Sequence, residues 1–204
     1  MQKGLLIVVS GPSGGGKGTV NKRLLAMDDF CFSVSATTRA PREGEIDGIN
    51  YFFITREEFE KRIECGDMLE YNVYSGNYYG TPREMVEKVL ADGKNIILEI
   101  DVNGAMQIKE KYPDALLIML LPPSFAVQEQ RLRDRGTESE DVIRMRLEET
   151  RREVPRVGEY DYVVYNYDNG IEKAASDILA IVRAEQLSVK RDPDAATRYF
   201  SKSV

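Results

Sequence analysis

A glycine-rich segment around a single lysine is the first place in this sequence where chemistry is expected. Glycines let successive backbone N–H groups turn towards phosphate oxygens, and a helix N-terminus adds the positive end of its dipole. Lys17 would reach the β- and γ-phosphates of a nucleotide as a point charge. The pattern therefore predicts a nucleotide phosphate site in the segment Gly11, Pro12, Ser13, Gly14, Gly15, Gly16, Lys17, Gly18 and Thr19.

This segment departs from the strict P-loop pattern at one position, because Gly18 stands where Ser or Thr is expected after the lysine. Thr19 could supply the missing hydroxyl. Alternatively, nucleotide phosphates and water could hold most of a Mg²⁺ ion, which dehydrates reluctantly. We therefore expect no direct side-chain ligand to the metal. A glycine-rich turn with an exposed lysine is the alternative to a nucleotide site.

A second group of phosphate-binding side chains follows in the segment Ser35–Glu45. Arg39 and Arg42 are close enough in an extended loop to converge on one dianion, and guanidinium groups suit phosphate oxygens. Tyrosines that could donate without adding charge are dense between residues 71 and 79. Solvated arginines and core tyrosines are the alternative. Together with the glycine segment, these residues indicate a second phosphate site.

The composition excludes several kinds of enzyme. The 204 residues include no histidine, which rules out Ser-His-Asp and Cys-His catalysis and histidine zinc sites. Phosphoryl transfer tolerates this absence, because it depends mainly on positioning and charge stabilisation. The net charge of −6 gives no support to general nucleic-acid binding.

The cellular setting is also indicated by composition. Cys31 and Cys65 lack metal-type spacing, which favours a reducing compartment and predicts a cytoplasmic protein. No apolar run approaches the roughly 18 residues of a membrane span, and the first residues are not typical of a signal peptide. The sequence leaves open whether the protein is a monomer or a homo-oligomer.

The elements that must position these residues alternate between strands and helices. Leu5–Ser10 is an apolar run typical of a buried parallel strand, and Thr19–Ala26 has helical spacing. This alternation predicts an α/β fold, a P-loop core whose parallel sheet is flanked by helices. Further strands are predicted at Asn95–Ile100, Leu116–Leu121 and Tyr162–Tyr165, and a further helix at Ile171–Glu185.

Another helix is predicted over Pro82–Asp92. Thr81 is its expected N-cap, Glu84 would complete a capping box, and Gly93 would end the helix.

Two segments interrupt the alternation. Residues 34–80 read as an inserted mixed subdomain with a short helix near Arg56–Glu64, and residues 131–156 are polar and helical, with eight arginines and no lysine. We expect a single domain whose core comprises about 1–33, 81–130 and 157–190, with a small helical lid at 131–156. The tail from 190 to 204 is expected to be loosely held.

The motifs, taken together, resemble guanylate kinases. In that family's order they are GPSGGGKGT, SATTRAPREGE from Ser35, SGNYYGT at Ser75–Thr81, IDVNGA at Ile100–Ala105, RGTESE at Arg135–Glu140 and YDYV at Tyr160–Val163. The resemblance implies that residues 34–80 bind GMP and that the lid is mobile. It also implies ATP-dependent, Mg²⁺-assisted phosphorylation of GMP and of dGMP to the diphosphates, with release of ADP, in purine nucleotide metabolism.

The resemblance also implies roles for individual residues. Contacts to the GMP phosphate are implied for Arg39, Arg42, Tyr51 and Tyr79, and contacts to guanine for Ser35, Glu70 and Thr81. Asp101 would lie near the acceptor and the metal, and Asp101 and Thr19 could contact the metal through water.

The chemistry of guanine supports Glu70 independently. A carboxylate can accept from both N1–H and the 2-amino group of guanine, whereas adenine would place an acceptor against it, and such mispairing can discriminate by roughly 10⁴ or more. The alternatives are a solvated strand residue for Glu70, the helix cap for Thr81, and a cap of the turn after its strand for Asp101.

In the lid, the resemblance implies that Arg131, Arg135 and Arg146 close over the ATP phosphates and act in catalysis with Lys17. Asn166 is expected to contact adenine. The alternative for the lid is a solvated helix with exposed ion pairs, and we expect that for Arg133, Arg144, Arg151 and Arg152. Departures from the family pattern are Asn103, where glutamine is common, and Tyr167, which replaces an acidic residue.

Two other functions fit part of this pattern. A catalytically inactive guanylate-kinase-like module would bind phosphorylated proteins, and a P-loop kinase could act on another small acceptor such as AMP. The complete glycine segment and Lys17 favour an enzyme acting on GMP and ATP over the binding module.

Overall fold

A computed structural model describes residues 4–27, 30–136 and 138–201. Residues 1–3, 28–29 and 202–204 lie outside the described part, as does Thr137 within the predicted RGTESE motif. The strands are β1 Leu6–Ser10, β2 Phe30–Phe32, β3 Ala36–Thr37, β4 Phe52–Phe53, β5 Met68–Tyr74, β6 Asn77–Pro82, β7 Asn95–Glu99, β8 Leu116–Leu121 and β9 Tyr162–Tyr165. The helices are α1 Lys17–Leu24, α2 Arg56–Glu64, α3 Arg83–Ala91, α4 Val102–Lys111, α5 Phe125–Asp134, α6 Glu140–Glu153, α7 Ile171–Gln186 and α8 Ala195–Ser201, with 3-10 turns at Val154–Glu159 and Val189–Arg191.

The larger sheet has five parallel strands in the order β2-β7-β1-β8-β9. Every residue of β1 and β8 is buried, because helices cover both faces of the sheet. Side chains of α1 and α7 pack on one face, and side chains of α3 and α4 pack on the other. The predicted α/β fold with a flanked parallel sheet is confirmed.

Strand β2 was not predicted from the sequence. It has only three residues, Phe30–Phe32, and it pairs in parallel with β7 at the edge of the sheet. A run of three residues is too short to show a period, so only its pairing partner defines it.

The smaller sheet has four strands in the order β4-β3-β6-β5. Its strands β5 and β6 form an antiparallel hairpin, and β3 pairs in parallel with β4. Helix α2 covers it through Phe59, which is fully buried and stacks on Tyr78 at 5.0 Å between ring centroids. A separate small core of Ala36, Phe59 and Met68 therefore holds this sheet together.

The arginine-rich segment forms parts of two helices rather than one. Helix α5 ends at Asp134, the chain turns at Gly136, and α6 begins after Ser139, whose side chain caps it. Leu132, Ile143 and Leu147 form a small apolar cluster between α5 and α6. Near the C-terminus, every residue of α8 is exposed.

Two details of the predicted helices were wrong. Helix α1 begins at Lys17, two residues before the predicted Thr19. Helix α3 has Pro82 as its N-cap residue without any side-chain cap, so Thr81 and Glu84 do not form a capping box. Thr81 belongs to β6 instead, where its hydroxyl has another partner.

Across the described part of the chain, no helix is both long enough and apolar enough to cross a membrane.

The small core predicts a large effect for one substitution. Phe59→Ala should lower the free energy of unfolding by about 3–5 kcal/mol, because it leaves a cavity and removes the stack on Tyr78. Urea denaturation would measure it. Phe200→Ala is the matched control, since Phe200 is 84% exposed and should change stability by less than about 0.5 kcal/mol. Equal effects of the two substitutions would contradict this account of the smaller sheet.

Candidate active site

The glycine segment connects β1 to α1 as a tight loop. Gly11 and Gly16 have φ angles of 142° and 86°, which side chains rarely adopt. A Cβ atom at Gly11 would meet the carbonyl oxygen of Leu120, and one at Gly16 would meet the Asn166 amide. Glycine is therefore required at both positions for the loop to pass between β8 and the segment after β9.

Lys17 is turned back onto this loop. Its Nζ donates to the carbonyl oxygens of Gly11 at 2.6 Å and Pro12 at 3.3 Å. Burial lowers the pKa of the Lys17 ammonium, and the carboxylates of Glu99 and Glu153 oppose that change. The lysine therefore has neutral carbonyl oxygens as direct partners and two carboxylates in its surroundings.

A cleft of about 450 Å³ opens beside the loop, and the predicted ATP-binding residues Gly14, Gly16 and Thr19 line it together with Arg131, Arg135 and Asn166. The Asn166 side chain donates to the Gly15 carbonyl at 3.0 Å, and its Oδ1 is buried without a partner among the described residues. An amide oxygen left in this state can accept a hydrogen bond from a ligand.

The three predicted lid arginines have different partners. Arg131 donates to the Asn166 carbonyl at 2.9 Å and to Asp168 at 2.8 Å. Arg146 donates to the Ser13 hydroxyl and pairs with Glu138 at 2.6 Å. Arg135 is the C-cap residue of α5 and makes no side-chain hydrogen bond or ion pair within the described residues.

Gln128 connects the glycine loop to helix α6. Its side-chain amide donates to the Ser13 carbonyl at 2.9 Å and to the Thr150 hydroxyl at 2.7 Å, and it is 1% exposed. Gln128 could not be predicted from the sequence, because the residue type and its place in a helix do not indicate which distant residues it contacts.

The other lid arginines lie mostly in exposed ion pairs. Arg133 pairs with Glu129 and Glu140, Arg144 pairs with Asp141, and Arg151 pairs with Glu148. Arg152 forms no ion pair within the described part of the chain, so the predicted exposed ion pair is not found for this residue. Asn103, a departure from the family pattern, accepts a hydrogen bond from Arg156.

The predicted GMP phosphate residues lie on the smaller sheet and its loops. Arg39 follows β3, and its guanidinium carbon is 5.6 Å from the centre of the Tyr51 ring. Tyr51 and Tyr79 meet edge to face at 6.0 Å. The structure thus brings Arg39, Tyr51 and Tyr79 together, although the end of the Arg39 guanidinium is already paired with Glu45.

The side chains of Arg42 and Ser35 make no hydrogen bond with the residues that the structure describes. The Arg42 side chain is exposed and forms no ion pair within the described ranges. Ser35 immediately precedes β3, and its backbone carbonyl accepts from Phe52.

Glu70 is a buried carboxylate on β5. It is 4% exposed, and it accepts a hydrogen bond from the Thr81 hydroxyl at 2.7 Å. Burial raises the pKa of Glu70 to about 7, and the charge of Asp101 adds to the effect while Thr81 opposes it. The structure contradicts both alternatives: Glu70 is not a solvated strand residue, and Thr81 is not the cap of a helix.

Asp101 acts as the N-cap of α4. Its Oδ1 accepts from the Gly104 backbone at 2.7 Å, and its Oδ2 accepts from the Asn72 amide at 2.6 Å. Asp101 therefore has the capping role that was the alternative to a site residue. Its hydrogen bond with Asn72 connects α4 to the smaller sheet.

A small cleft of about 190 Å³ lies between the glycine loop and the smaller sheet. Lys17, Arg146 and Glu153 line it on one side, and Asp101 and Tyr74 line it on the other. Glu153 is at the C-terminal end of α6, and burial raises its pKa to about 7, with Glu149 adding to the rise.

Glu99 was not singled out by sequence analysis. It accepts from Asn21 at 2.9 Å, and its charge influences the pKa values of both Lys17 and Tyr51. Its position at the carboxyl end of a buried strand, two residues before Asp101, was the available signal.

Comparisons with known proteins agree with this geometry. The sequence model of the family "Guanylate kinase" matches residues 3–185. The chain is 48% identical to the guanylate kinase of Clostridium tetani, over 96% of this chain and 93% of that protein. It is also 48% identical to the guanylate kinase of Bacillus subtilis, over 97% and 96%. The crystal structure of guanylate kinase from Anaplasma phagocytophilum superposes with a TM-score of 0.75 at 34% identity, covering 94% of this chain and 90% of that one.

Gly104 allows the close approach of Glu70 to helix α4. A Cβ atom at position 104 would lie 2.6 Å from Glu70 Oε2. Gly104→Ala should therefore lower the free energy of unfolding by about 1–3 kcal/mol, although alanine is the better helix former. Thermal or urea unfolding would measure this.

Gly18→Ala is the matched control, because Gly18 is also in the first turn of a helix and its Cβ would lie 3.9 Å from the nearest atom. It should be as stable as the unsubstituted protein or more so. If Gly104→Ala were equally stable, the close packing of Glu70 against α4 would be refuted.

Proposed function

The chain belongs to the guanylate kinase family of enzymes, which phosphorylate GMP, and we propose that it transfers the γ-phosphoryl group of ATP to GMP, giving GDP and ADP. The observation that carries the proposal is the cleft shared by Lys17 of the glycine loop and Asp101 and Tyr74 beside the smaller sheet. Its lining combines Gly11, Ser13 and Lys17 of the phosphate loop with Tyr74 at the end of strand β5 of the smaller sheet. A donor phosphate held by the loop would therefore lie next to an acceptor bound on the smaller sheet.

ATP is the proposed donor. The backbone N–H groups of Gly11–Thr19 would surround its phosphates, and Lys17 would exchange the carbonyl oxygens of Gly11 and Pro12 for phosphate oxygens. The buried, unpartnered Oδ1 of Asn166 is suited to accept from the 6-amino group of adenine. Guanine would place an acceptor there instead, so Asn166 favours ATP over GTP.

GMP is the proposed acceptor, bound to the smaller sheet. Arg39, Arg42, Tyr51 and Tyr79 would hold its phosphate. Glu70, with Ser35 and Thr81, would hold guanine by accepting from N1–H and the 2-amino group. None of these assigned contacts reads the ribose 2′-hydroxyl, so dGMP should be phosphorylated as well.

In the transfer step, a phosphate oxygen of GMP attacks the γ-phosphorus of ATP. A new P–O bond forms as the bond between the β and γ groups breaks, and ADP leaves. Because the attacking phosphate is already anionic near neutral pH, no dedicated protein base is required. Lys17, Arg131, Arg135 and Arg146 would stabilise the negative charge in the transition state.

Residues 131–156, which comprise the C-terminal end of α5 and all of α6, would act as the lid, and residues 34–80 as the GMP-binding subdomain. Their closure would exclude water that could otherwise hydrolyse ATP. Gln128 and Arg146 already connect the lid to the glycine loop through Ser13.

The oxygen donors near Lys17 suit a Mg²⁺ ion held mainly by phosphates and water. The described residues include no cluster of three or more histidine, cysteine or acidic side chains that could hold a metal. Both oxygens of Asp101 already accept hydrogen bonds, so Asp101 and Thr19 would contact the ion through water. When bound with ATP, Mg²⁺ supplies positive charge that offsets the charge of the phosphates.

We place this reaction in purine nucleotide metabolism in the cytoplasm. Both Cys31 and Cys65 are free thiols, as suits a reducing compartment.

An assay of ADP formation with ATP and Mg²⁺ tests the proposal. At pH 8, GMP and dGMP should each stimulate ADP release, and AMP should not, because adenine places its N1 acceptor against the ionised Glu70 carboxylate. Lys17→Ala should lower the rate by at least about 10³-fold while leaving the unfolding temperature near that of the unsubstituted protein. If GMP gave no ADP above a control without acceptor, or if AMP outcompeted GMP, the proposal would be wrong.

The raised pKa of Glu70 predicts a pH dependence of GMP use. GMP requires the ionised carboxylate, which is mostly present at pH 8 and mostly protonated at pH 6, since the pKa is about 7. The KM for GMP should therefore be about tenfold higher at pH 6 than at pH 8. Initial rates across this range would measure it.

Glu70→Gln is the control for this pH dependence. The GMP phosphate itself takes up a proton near pH 6, and the variant retains that contribution while losing the titration of Glu70. Its KM for GMP should be higher at all pH values but should change less between pH 6 and pH 8. An unchanged ratio would show that Glu70 is not the titrating group.

A further inference from the structure

Glu45 holds the arginine that is proposed to bind the acceptor phosphate. Its two carboxylate oxygens accept from Nη1 and Nη2 of Arg39, each at 3.0 Å. The side chains of Arg39 and Glu45 are 15% and 18% exposed, so the pair is largely shielded from water. Such a parallel two-bond pair fixes the plane of the guanidinium as well as its position.

The same carboxylate also shapes the loop. Glu45 Oε2 accepts from the Arg42 backbone N–H at 2.7 Å, and the Glu45 backbone N–H donates to the Arg42 carbonyl at 3.1 Å. The hydrogen bonds from Arg39 and Arg42 keep the pKa of Glu45 below its usual value, so the carboxylate remains charged at working pH. Glu45 thus ties both predicted phosphate-binding arginines to one anchor.

This pairing leaves the Nε and Nη2 edge of the Arg39 guanidinium without a carboxylate partner, and the Tyr79 side chain interacts with the guanidinium. Nη1 donates its second hydrogen to the Ala40 carbonyl at 2.7 Å, whereas Nε is buried and has no partner among the described residues. Nε and Nη2 form the side edge of a guanidinium, whose two parallel N–H groups match two oxygens of a phosphate. The rings of Tyr51 and Phe53, with their centres 5.6 and 5.8 Å from the guanidinium carbon, confine the group further.

We propose that Glu45 is a positioning residue for the acceptor phosphate: it binds the end of the Arg39 guanidinium so that the edge formed by Nε and Nη2 remains directed at that phosphate. The inference rests on the proposed function, because it requires that Arg39 bind GMP. A free arginine would have to lose its side-chain freedom on binding, whereas the pair with Glu45 has fixed it beforehand. The opposite possibility is that Glu45 competes with the phosphate for Arg39. Removing the charge of Glu45 should raise the KM for GMP if Glu45 positions Arg39, and lower it if Glu45 competes.

Glu45→Gln distinguishes them, since it keeps the size of the side chain and removes the charge. The KM for GMP should rise by about tenfold, while kcat and the KM for ATP should change by less than about threefold. Glu43→Gln is the matched control, because Glu43 is exposed in the same loop and makes no ion pair within the described residues. It should leave all three constants unchanged.

Binding measurements separate positioning from a general loss of structure. By calorimetry, Glu45→Gln should weaken GMP by about tenfold and guanosine by less than twofold, because guanosine lacks the phosphate. A variant with a disordered loop would weaken both ligands alike. Such a result, or a KM for GMP that stays the same or falls, would overturn the proposal.

Arg39→Ala separates this inference from the proposed function. If Arg39→Ala left the KM for GMP unchanged, the proposed phosphate site itself would be wrong. If Arg39→Ala raised the KM but Glu45→Gln did not, only the inference about Glu45 would fail. The double variant should be no worse than Arg39→Ala alone, because Glu45 acts through Arg39.

Discussion

A buried cation must have a partner whether or not a ligand is present, since leaving it unpaired is costly. The proposed active site satisfies this requirement with the protein's own oxygens. Lys17 donates to two carbonyls of its own loop, Arg39 pairs with Glu45, Arg131 pairs with Asp168, and Arg146 pairs with Glu138. The positive charges therefore remain close to the phosphate sites without a nucleotide.

The partners differ in how easily a phosphate could replace them. Among the described residues, the only hydrogen-bond partners of Lys17 are the neutral carbonyl oxygens of Gly11 and Pro12, and a phosphate is a stronger acceptor than either. Arg131 pairs with Asp168, whose side chain is 75% exposed, so that pair is weak and open to exchange. Arg39 is different, because its carboxylate partner is shielded and its Nε has no partner among the described residues. These differences suggest that Lys17 and Arg131 change partners on binding, whereas Arg39 keeps its own.

The proposed selection of guanine by Glu70 depends on a different cost, that of burying a carboxylate. Glu70 lies between the Thr81 hydroxyl and the backbone of α4, and there its pKa rises to about 7. A buried acid whose pKa is raised by burial and a neighbouring charge is a candidate for a functional site. The protein tolerates it because Thr81 donates a hydrogen bond and Gly104 leaves room for the second oxygen. If Glu70 recognises guanine as proposed, the buried carboxylate that provides specificity also lowers stability.

The sequence alone was sufficient for features that arise from local patterns. Apolar runs such as Leu116–Leu121 identified the buried strands, and the glycines of residues 11–18 identified the loop, because both signals lie within a few consecutive residues. The order of motifs also indicated the family. These predictions needed no knowledge of which segments pack together.

The tertiary structure decided which side chains meet. Thr81 reads as a helix cap in the sequence, but the pairing of β5 with β6 places it opposite Glu70, and its hydroxyl bonds there instead. The three-residue strand β2 exists only because β7 pairs with it. Glu99 and Glu153 come from a strand and a helix far apart in the chain, yet both act on Lys17. Contacts of this kind depend on the register of sheets and the packing of helices across long sequence separations, and a local pattern does not contain that information.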